Sequence, residues 1–240
     1  MSSYKGPPGV GPRVLQGDQS ALRPGGDPGA GGAAVVLLLD LYCGAGGAAK
    51  GYKDAGFTVV GVDNVPQSRY RGDAFIQADA LEFLAEHGHE YDAIHASPPC
   101  QAYSSMSRNR GDHPSLYAPT RDGLHFAGKP FVIENVIGAP YHSGFVLCGS
   151  MFGLKVRRHR NFETSWLEFL TLRCAHDKQG RPITVTGDSG GKPSSHSWKG
   201  IRSEWPLYMG MPWATPKECS QAIPPAYTRY VGERLMEQLL

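Results

Sequence analysis

A cysteine, a glutamate and two arginines have the most chemically pointed placement in this chain: Cys100 in Ser97-Pro-Pro-Cys-Gln101, Glu134 in Glu134-Asn-Val136, and the pair in Arg158-His-Arg160. Cys100 ends the apolar run Tyr91-Asp-Ala-Ile-His-Ala96, which reads as a buried strand, and Pro98 and Pro99 remove two backbone donors just before it. A thiol on a stiff turn at the C-terminal edge of a strand lies where open α/β sheets place ligands and chemistry. Glu134 follows a second apolar run, Pro130-Phe-Val-Ile133, and is expected to emerge at the same edge. A thiol and a carboxylate converging there suit covalent catalysis with an acid partner. A lone cysteine more often serves a core. The basic stretch Arg157-Arg-His-Arg160 by itself reads as a surface loop.

These groups need a scaffold, and residues 35–87 supply one. Val35-Val-Leu-Leu-Leu-Asp-Leu-Tyr-Cys43 is a continuous apolar run of the kind a fully buried parallel strand shows. It passes into Gly44-Ala-Gly46-Gly47 and then a helical stretch, Ala48–Gly56, with a glycine stop. A strand, a glycine turn and a helix let backbone approach a ligand closely. A second strand, Phe57-Thr-Val-Val-Gly-Val62, ends in Asp63, about 20 positions after the turn, where an acid can accept hydrogen bonds from ribose hydroxyls. A third unit, Ala74-Phe-Ile-Gln-Ala78, ends in Asp79 and the helical Ala80–His87. Each acid alone could be a helix cap or a solvated turn. Acids at successive strand ends predict a binding edge.

In this order the motifs resemble those of the cytosine-5 DNA methyltransferases, over roughly residues 36–163 and again near 219–235. The resemblance implies a doubly wound, mostly parallel α/β sheet of the Rossmann-like, S-adenosylmethionine-dependent type with a small recognition lobe. It assigns to S-adenosylmethionine the residues Asp40, Tyr42, Cys43, Gly44, Gly46 and Gly47, then Asp63 with Asn64, Asp79 with Ala80, Pro98, and Gln221 near the C-terminus. It makes Cys100 the nucleophile, Glu134 the acid, and Arg158 and Arg160 the paired arginines near the cytosine. The implied chemistry adds the thiolate to carbon 6 while Glu134 binds the N3 edge; carbon 5 takes the methyl group, and loss of its proton expels the thiol. The target base must leave the duplex to react. The polar stretch 104–113, with Arg108 and Arg110, fits a loop that closes over DNA. The chain departs from the family pattern at Ser220-Gln221, where Gly-Asn is usual, and at Val156, where Gln is usual. A transfer-RNA-methylating branch of this fold carries a Cys-Phe-Thr marker absent here, which favours DNA. A catalytically inactive DNA-binding relative is the alternative of another class.

Composition is permissive. The 240 residues are 40% hydrophobic with a formal net charge of +2, and no apolar run approaches membrane-span length. Cys43, Cys100, Cys148, Cys174 and Cys219 form an odd, widely spaced set without a disulfide framework, which suits a reducing, cytoplasmic setting in a bacterium or phage-infected cell. Cys174-Ala-His176 could form half of a metal site, but no matching pair is evident, so the motif is read as incidental, no metal is expected, and Cys148 is read as core. Residues 1–34, rich in Gly and Pro, read as a disordered tail without a signal-peptide core. Residues 35–163 form the catalytic and cofactor-binding part, and 216–240 return to it as a closing helix. Between them, 164–215 interleaves Trp166, Trp198 and Trp205 with Arg173, Arg181 and Arg202, a pattern suited to reading double-stranded DNA. A monomer is expected.

Overall fold

Strand pairing follows the apolar runs. The computed structural model describes residues 13–16, 35–99, 115–167, 172–186 and 200–240; Cys100, the stretch 104–113 and most of 1–34 lie outside the described residues. Eight strands, β1 (Arg13–Gln16), β2 (Leu37–Leu41), β3 (Thr58–Asp63), β4 (Ala74–Gln77), β5 (Ala93–Ala96), β6 (Phe131–Asn135), β7 (Phe145–Leu147) and β8 (Arg160–Thr164), form one sheet in the order β1-β4-β3-β2-β5-β6-β8-β7. The β4-β3-β2-β5-β6 centre is parallel, and β1, β8 and β7 add antiparallel edges. The strand order reverses between β2 and β5, which opens a crevice beyond their carboxyl ends.

Both faces of the sheet are covered, which explains why every residue of β2 except Asp40 is leucine. Leu37, Leu39 and Leu41 face a core shared with Phe83 and Leu84 of α2 (Ala80–His87) and Leu124 of α3 (Tyr117–Ala127). Leu38 points the other way, into a core with Ala48 and Tyr52 of α1 (Gly47–Asp54) and Tyr227, Val231 and Leu235 of the C-terminal helix Pro225–Leu239. That helix lies so close to α1 that a Cβ on Gly51 would stand 2.2 Å from the Pro225 carbonyl oxygen. The Thr228 hydroxyl closes the contact by donating to the Ala48 carbonyl at 3.0 Å.

A third core belongs to the lobe after β8. Trp205 and Met209 of the helix Trp205–Met209, with Met211, Ala214 and Cys219, bury against Val156, Ile183, Val185 and Ala45. The Trp213 indole N–H donates to the Ala45 carbonyl at 2.9 Å and so fastens this lobe to the glycine turn after β2. In chain order, the helices after α3 among the described residues are α4 (His176–Gln179), α5 (Trp205–Met209), α6 (Pro216–Gln221) and α7 (Pro225–Leu239). Residues 187–199, which carry Asp188, Gly190, Gly191 and Trp198, lie outside the described residues.

One expectation is corrected here. The Gly/Pro-rich N-terminal stretch contributes a strand, with β1 pairing antiparallel to β4 through Arg13 opposite Gln77 and Val14 opposite Ile76. The bare backbone edge of β4 can be satisfied by any chain, so pairing there does not require an apolar pattern. Glu134 is the penultimate residue of β6, opposite Phe162 of β8, near the carboxyl end of the strand.

Candidate active site at the carboxyl edge of the sheet

The turn after β2 is built on left-handed backbone. Tyr42, Gly44 and Gly46 have φ of 59°, 49° and 79°. A Cβ at Gly46 would stand 2.5 Å from the Arg71 backbone nitrogen, so only glycine fits there. Tyr42 tolerates the conformation with its hydroxyl anchored 2.8 Å from the Thr120 hydroxyl. Asp63, at the end of β3, locks this turn from the side: its carboxylate accepts from the Gly44 N–H and the Val65 N–H, each at 3.0 Å. Asp79 caps α2, accepting from Leu81 N–H at 2.8 Å and Glu82 N–H at 3.1 Å.

Asp40 differs from both. It is sealed within β2, and among the described residues neither of its carboxylate oxygens has a hydrogen-bond partner. Burial pushes its carboxyl well above the usual range and the nearby Asp63 charge adds to this, while the Ala49 backbone N–H, close by but outside hydrogen-bond geometry, relieves only a part. A buried carboxylate left in that state is poised for a cation or a donor.

At the other side of the crevice, Asn135 donates its side-chain N–H to the Pro98 carbonyl at 2.9 Å, tying the strand end that precedes Cys100 to β6. Next to it, Nε of Arg160 lies 2.9 Å from Oε1 of Glu134. The approach lies off the N–H direction, so the contact is an ion pair without a well-aligned hydrogen bond. Burial raises the Glu134 carboxyl above its ordinary value; Arg160, the Ser97 hydroxyl and Arg158 pull it down without cancelling the effect. Behind Ser97 runs a buried chain: the Ser97 hydroxyl lies 2.9 Å from His95 Nε2, and His95 Nδ1 lies 3.0 Å from the Tyr52 hydroxyl.

These groups surround one cavity of about 660 Å³. Its wall includes Asp40, Tyr42, Cys43, Gly44 and Gly47 from the first turn, Asp63 and Asn64, Asp79 and Ala80, Pro98, Glu134, Arg160 and Gln221. Gly46 shapes the turn without reaching the wall. Arg158 is also off the wall: its guanidinium donates to the Val185 carbonyl and the Ser220 carbonyl, both at 2.8 Å, while its backbone takes a left-handed φ of 39°. The two arginines of the motif are therefore divided, one facing the cavity and one bracing backbone. Cys100 and the 104–113 stretch lie outside the described residues, as do Lys192, His196 and Lys199 of the expected recognition region.

Sequence reading missed the Tyr52–His95–Ser97 chain, because a histidine inside an apolar strand carries no spacing signal. It also missed Thr215, Lys217 and Glu218, which line the cavity from the first turn of α6. A capping box could have located that helix start: the Thr215 hydroxyl accepts from the Glu218 N–H, and the Glu218 carboxylate accepts from the Thr215 N–H. The expectation that Cys174 and His176 have no matching pair is corrected as well, since Cys148 and His159 stand beside them. The Val156 departure is accommodated by packing: Val156 is buried in the lobe core, and the Gln179 side-chain amide donates to its carbonyl at 3.0 Å.

No family model matches the chain. A type II methyltransferase, M.AgeI of Thalassovita gelatinovora, is 29% identical over 134 residues, which is 48% of this chain and 31% of that protein; the match thus spans about a third of the relative's length. Among solved structures, a DNA modification methyltransferase encoded within an E. coli prophage superposes with a TM-score of 0.52 at 14% identity over 85% of this chain and 99% of its own. DNMT2 of Spodoptera frugiperda gives 0.57 at 13% identity over 84% and 99%. Dnmt2 of S. pombe gives 0.57 at 14% identity over 86% and 99%. With its parallel centre and helices on both faces, the chain shares the Rossmann-like α/β fold of these methyltransferase structures.

Proposed function

We propose that this chain methylates carbon 5 of cytosine in double-stranded DNA, with S-adenosylmethionine as methyl donor and Cys100 as covalent nucleophile. The observation that carries the reading is the one cavity whose wall holds Asp40 of β2, the strand-end acids Asp63 and Asp79, the Glu134–Arg160 pair and the Pro98-Pro99 turn that leads to Cys100. The residues fit the donor. An unpartnered, buried carboxylate at Asp40 suits a cationic ligand, and carboxylates at two neighbouring strand ends suit hydroxyl and amino donors of a nucleoside. When bound, S-adenosylmethionine supplies the electrophilic methyl of its sulfonium.

The chain's own residues divide the remaining work. Glu134, raised by burial, holds a proton more readily than an exposed glutamate and offers it to the N3 edge of the base, stabilising the ring as a thiolate adds to carbon 6. Arg160 places positive charge beside the same carboxylate and offers donors to the base carbonyl oxygen. Arg158 acts as a positioning residue, holding its strand against the Val185 and Ser220 carbonyls. Exposed Arg173 and Arg202 of the lobe are candidates for contacts with guanine edges or phosphates.

The test is a trap. With S-adenosylmethionine, DNA carrying 5-fluorocytosine should form a denaturation-resistant adduct, because fluorine does not leave as a proton does, and peptide mapping should place the bond on Cys100. Cys100→Ser should give none. An adduct mapping elsewhere would overturn the nucleophile, and an adduct formed on transfer RNA but not DNA would overturn the substrate.

A further inference from the structure

We propose that Cys148, His159, Cys174 and His176 form a closed, four-ligand transition-metal site of zinc type, which clasps the arginine strand to the foot of the lobe. Their ligand atoms all lie within 4.8 Å of one another. Cys148 Sγ is 3.3 Å from His176 Nε2, and Cys174 Sγ is 3.4 Å from His159 Nε2. A tetrahedron with Zn–S near 2.3 Å and Zn–N near 2.0 Å has sulfur–nitrogen edges of about 3.5 Å, so the observed pairs match that spacing.

The four come from three separate segments: Cys148 just after β7, His159 just before β8, and Cys174 with His176 at the start of α4. Core packing does not account for the gathering, because Cys174 is exposed and both histidines are only half-buried. The imidazoles do not stack either; their planes stand at 87° with centroids 5.2 Å apart, and the Nε2 atom of each meets a sulfur. Two thiolates and two imidazoles suit zinc, and a site with four protein ligands leaves no open position for catalysis. The Ser150 hydroxyl supports the ligands from outside: it lies 3.2 Å from Cys148 Sγ and accepts the Ala175 N–H at 3.1 Å, joining two of the three segments.

None of the four lines the 660 Å³ cavity, so the site is separate from it. Its consequence for that cavity is mechanical. His159 stands between Arg158, which braces Val185 and Ser220, and Arg160, which faces Glu134. A metal bound there fixes the strand start that both arginines depend on.

The test uses the full chain, purified without chelator from zinc-supplemented cells. Elemental analysis should find about one zinc per chain, and chelation should lower the melting temperature by more than about 5 °C. Because Cys174 is exposed, Cys174→Ser should fold yet lose most of the metal, and cobalt(II) added to metal-free wild type should give the visible bands of a tetrahedral thiolate complex that Cys174→Ser lacks. Wild type that comes out of this purification without zinc and melts the same with and without chelator, a Cys148–Cys174 disulfide in unreduced protein, or full zinc retained by Cys174→Ser would each overturn the site. None of these readouts depends on methyl transfer, so they stand or fall apart from the proposed reaction.

Discussion

Arg160 Nε and Glu134 Oε1 are 2.9 Å apart, with side chains 15% and 8% exposed, yet the carboxyl stays above its ordinary value. Burial therefore outweighs the adjacent cation. An ion pair sealed from water gains Coulomb energy but loses hydration, and here the second term wins. For an acid that must hand a proton to a base near neutral pH, that balance is useful.

Glu134→Gln tests it. A carboxyl whose folded value lies above its unfolded one contributes stability that is fully present below the unfolded value and is lost as the pH rises through the folded one. Glutamine carries no such penalty. The melting temperature of Glu134→Gln relative to wild type should therefore climb as pH rises from about 4.5, the ordinary value, and then level off once wild-type Glu134 is fully ionised. Methyl transfer should fall by roughly 10²–10⁴-fold, the usual worth of a general acid. A stability difference that is flat with pH would mean that Glu134 ionises normally.

His95 predicts the opposite limb. It is completely buried between Tyr52 and Ser97, and burial lowers it from an ordinary 6.5 to about 3. The unfolded chain binds a proton below pH 6.5 while the folded chain does not. Stability from neutral His95 is thus fully present above that pH and is lost progressively down towards pH 3, a loss on the order of a few kcal/mol. Thermal melts of wild type should fall across this window. His95→Leu should start less stable, since Tyr52 and Ser97 lose a partner, but show a flatter slope from pH 6.5 to 4.5. Equal slopes would assign the acid sensitivity to other groups.

Asp63 and Asp79 separate binding from folding. Asp63 holds the glycine turn through Gly44 and faces the cavity, so Asp63→Ala should weaken S-adenosylmethionine binding by about 1.5–3 kcal/mol in calorimetry. Asp79 is also the cap of α2, so Asp79→Ala should cost about 1 kcal/mol of stability in addition to any loss of cofactor affinity. Asp79→Asn should restore the stability, because asparagine caps a helix as well as aspartate does. If Asp79→Asn binds cofactor like wild type, the charge at that strand end serves only the helix.

Much of this could be read without coordinates because the information was local. Largely apolar runs announced β2, β3, β4 and β5, since a strand covered on both faces is apolar at most positions, Asp40 and His95 being the buried exceptions. The acid after each run fell at the sheet edge because successive parallel strands deliver their carboxyl ends to one side. Helix α2 matched its expected bounds because Asp79 is a strong cap. The remainder depended on which segments meet. Arg158 and Arg160 are two positions apart in sequence, but a left-handed φ at Arg158 turns one towards backbone carbonyls and leaves the other to face Glu134. β1 was hidden because edge pairing is made by backbone groups, which every sequence possesses. Cys174 and His176 stand two positions apart, but Cys148 and His159 come from other segments, and only the packing of all three segments sets the distances between sulfur and nitrogen.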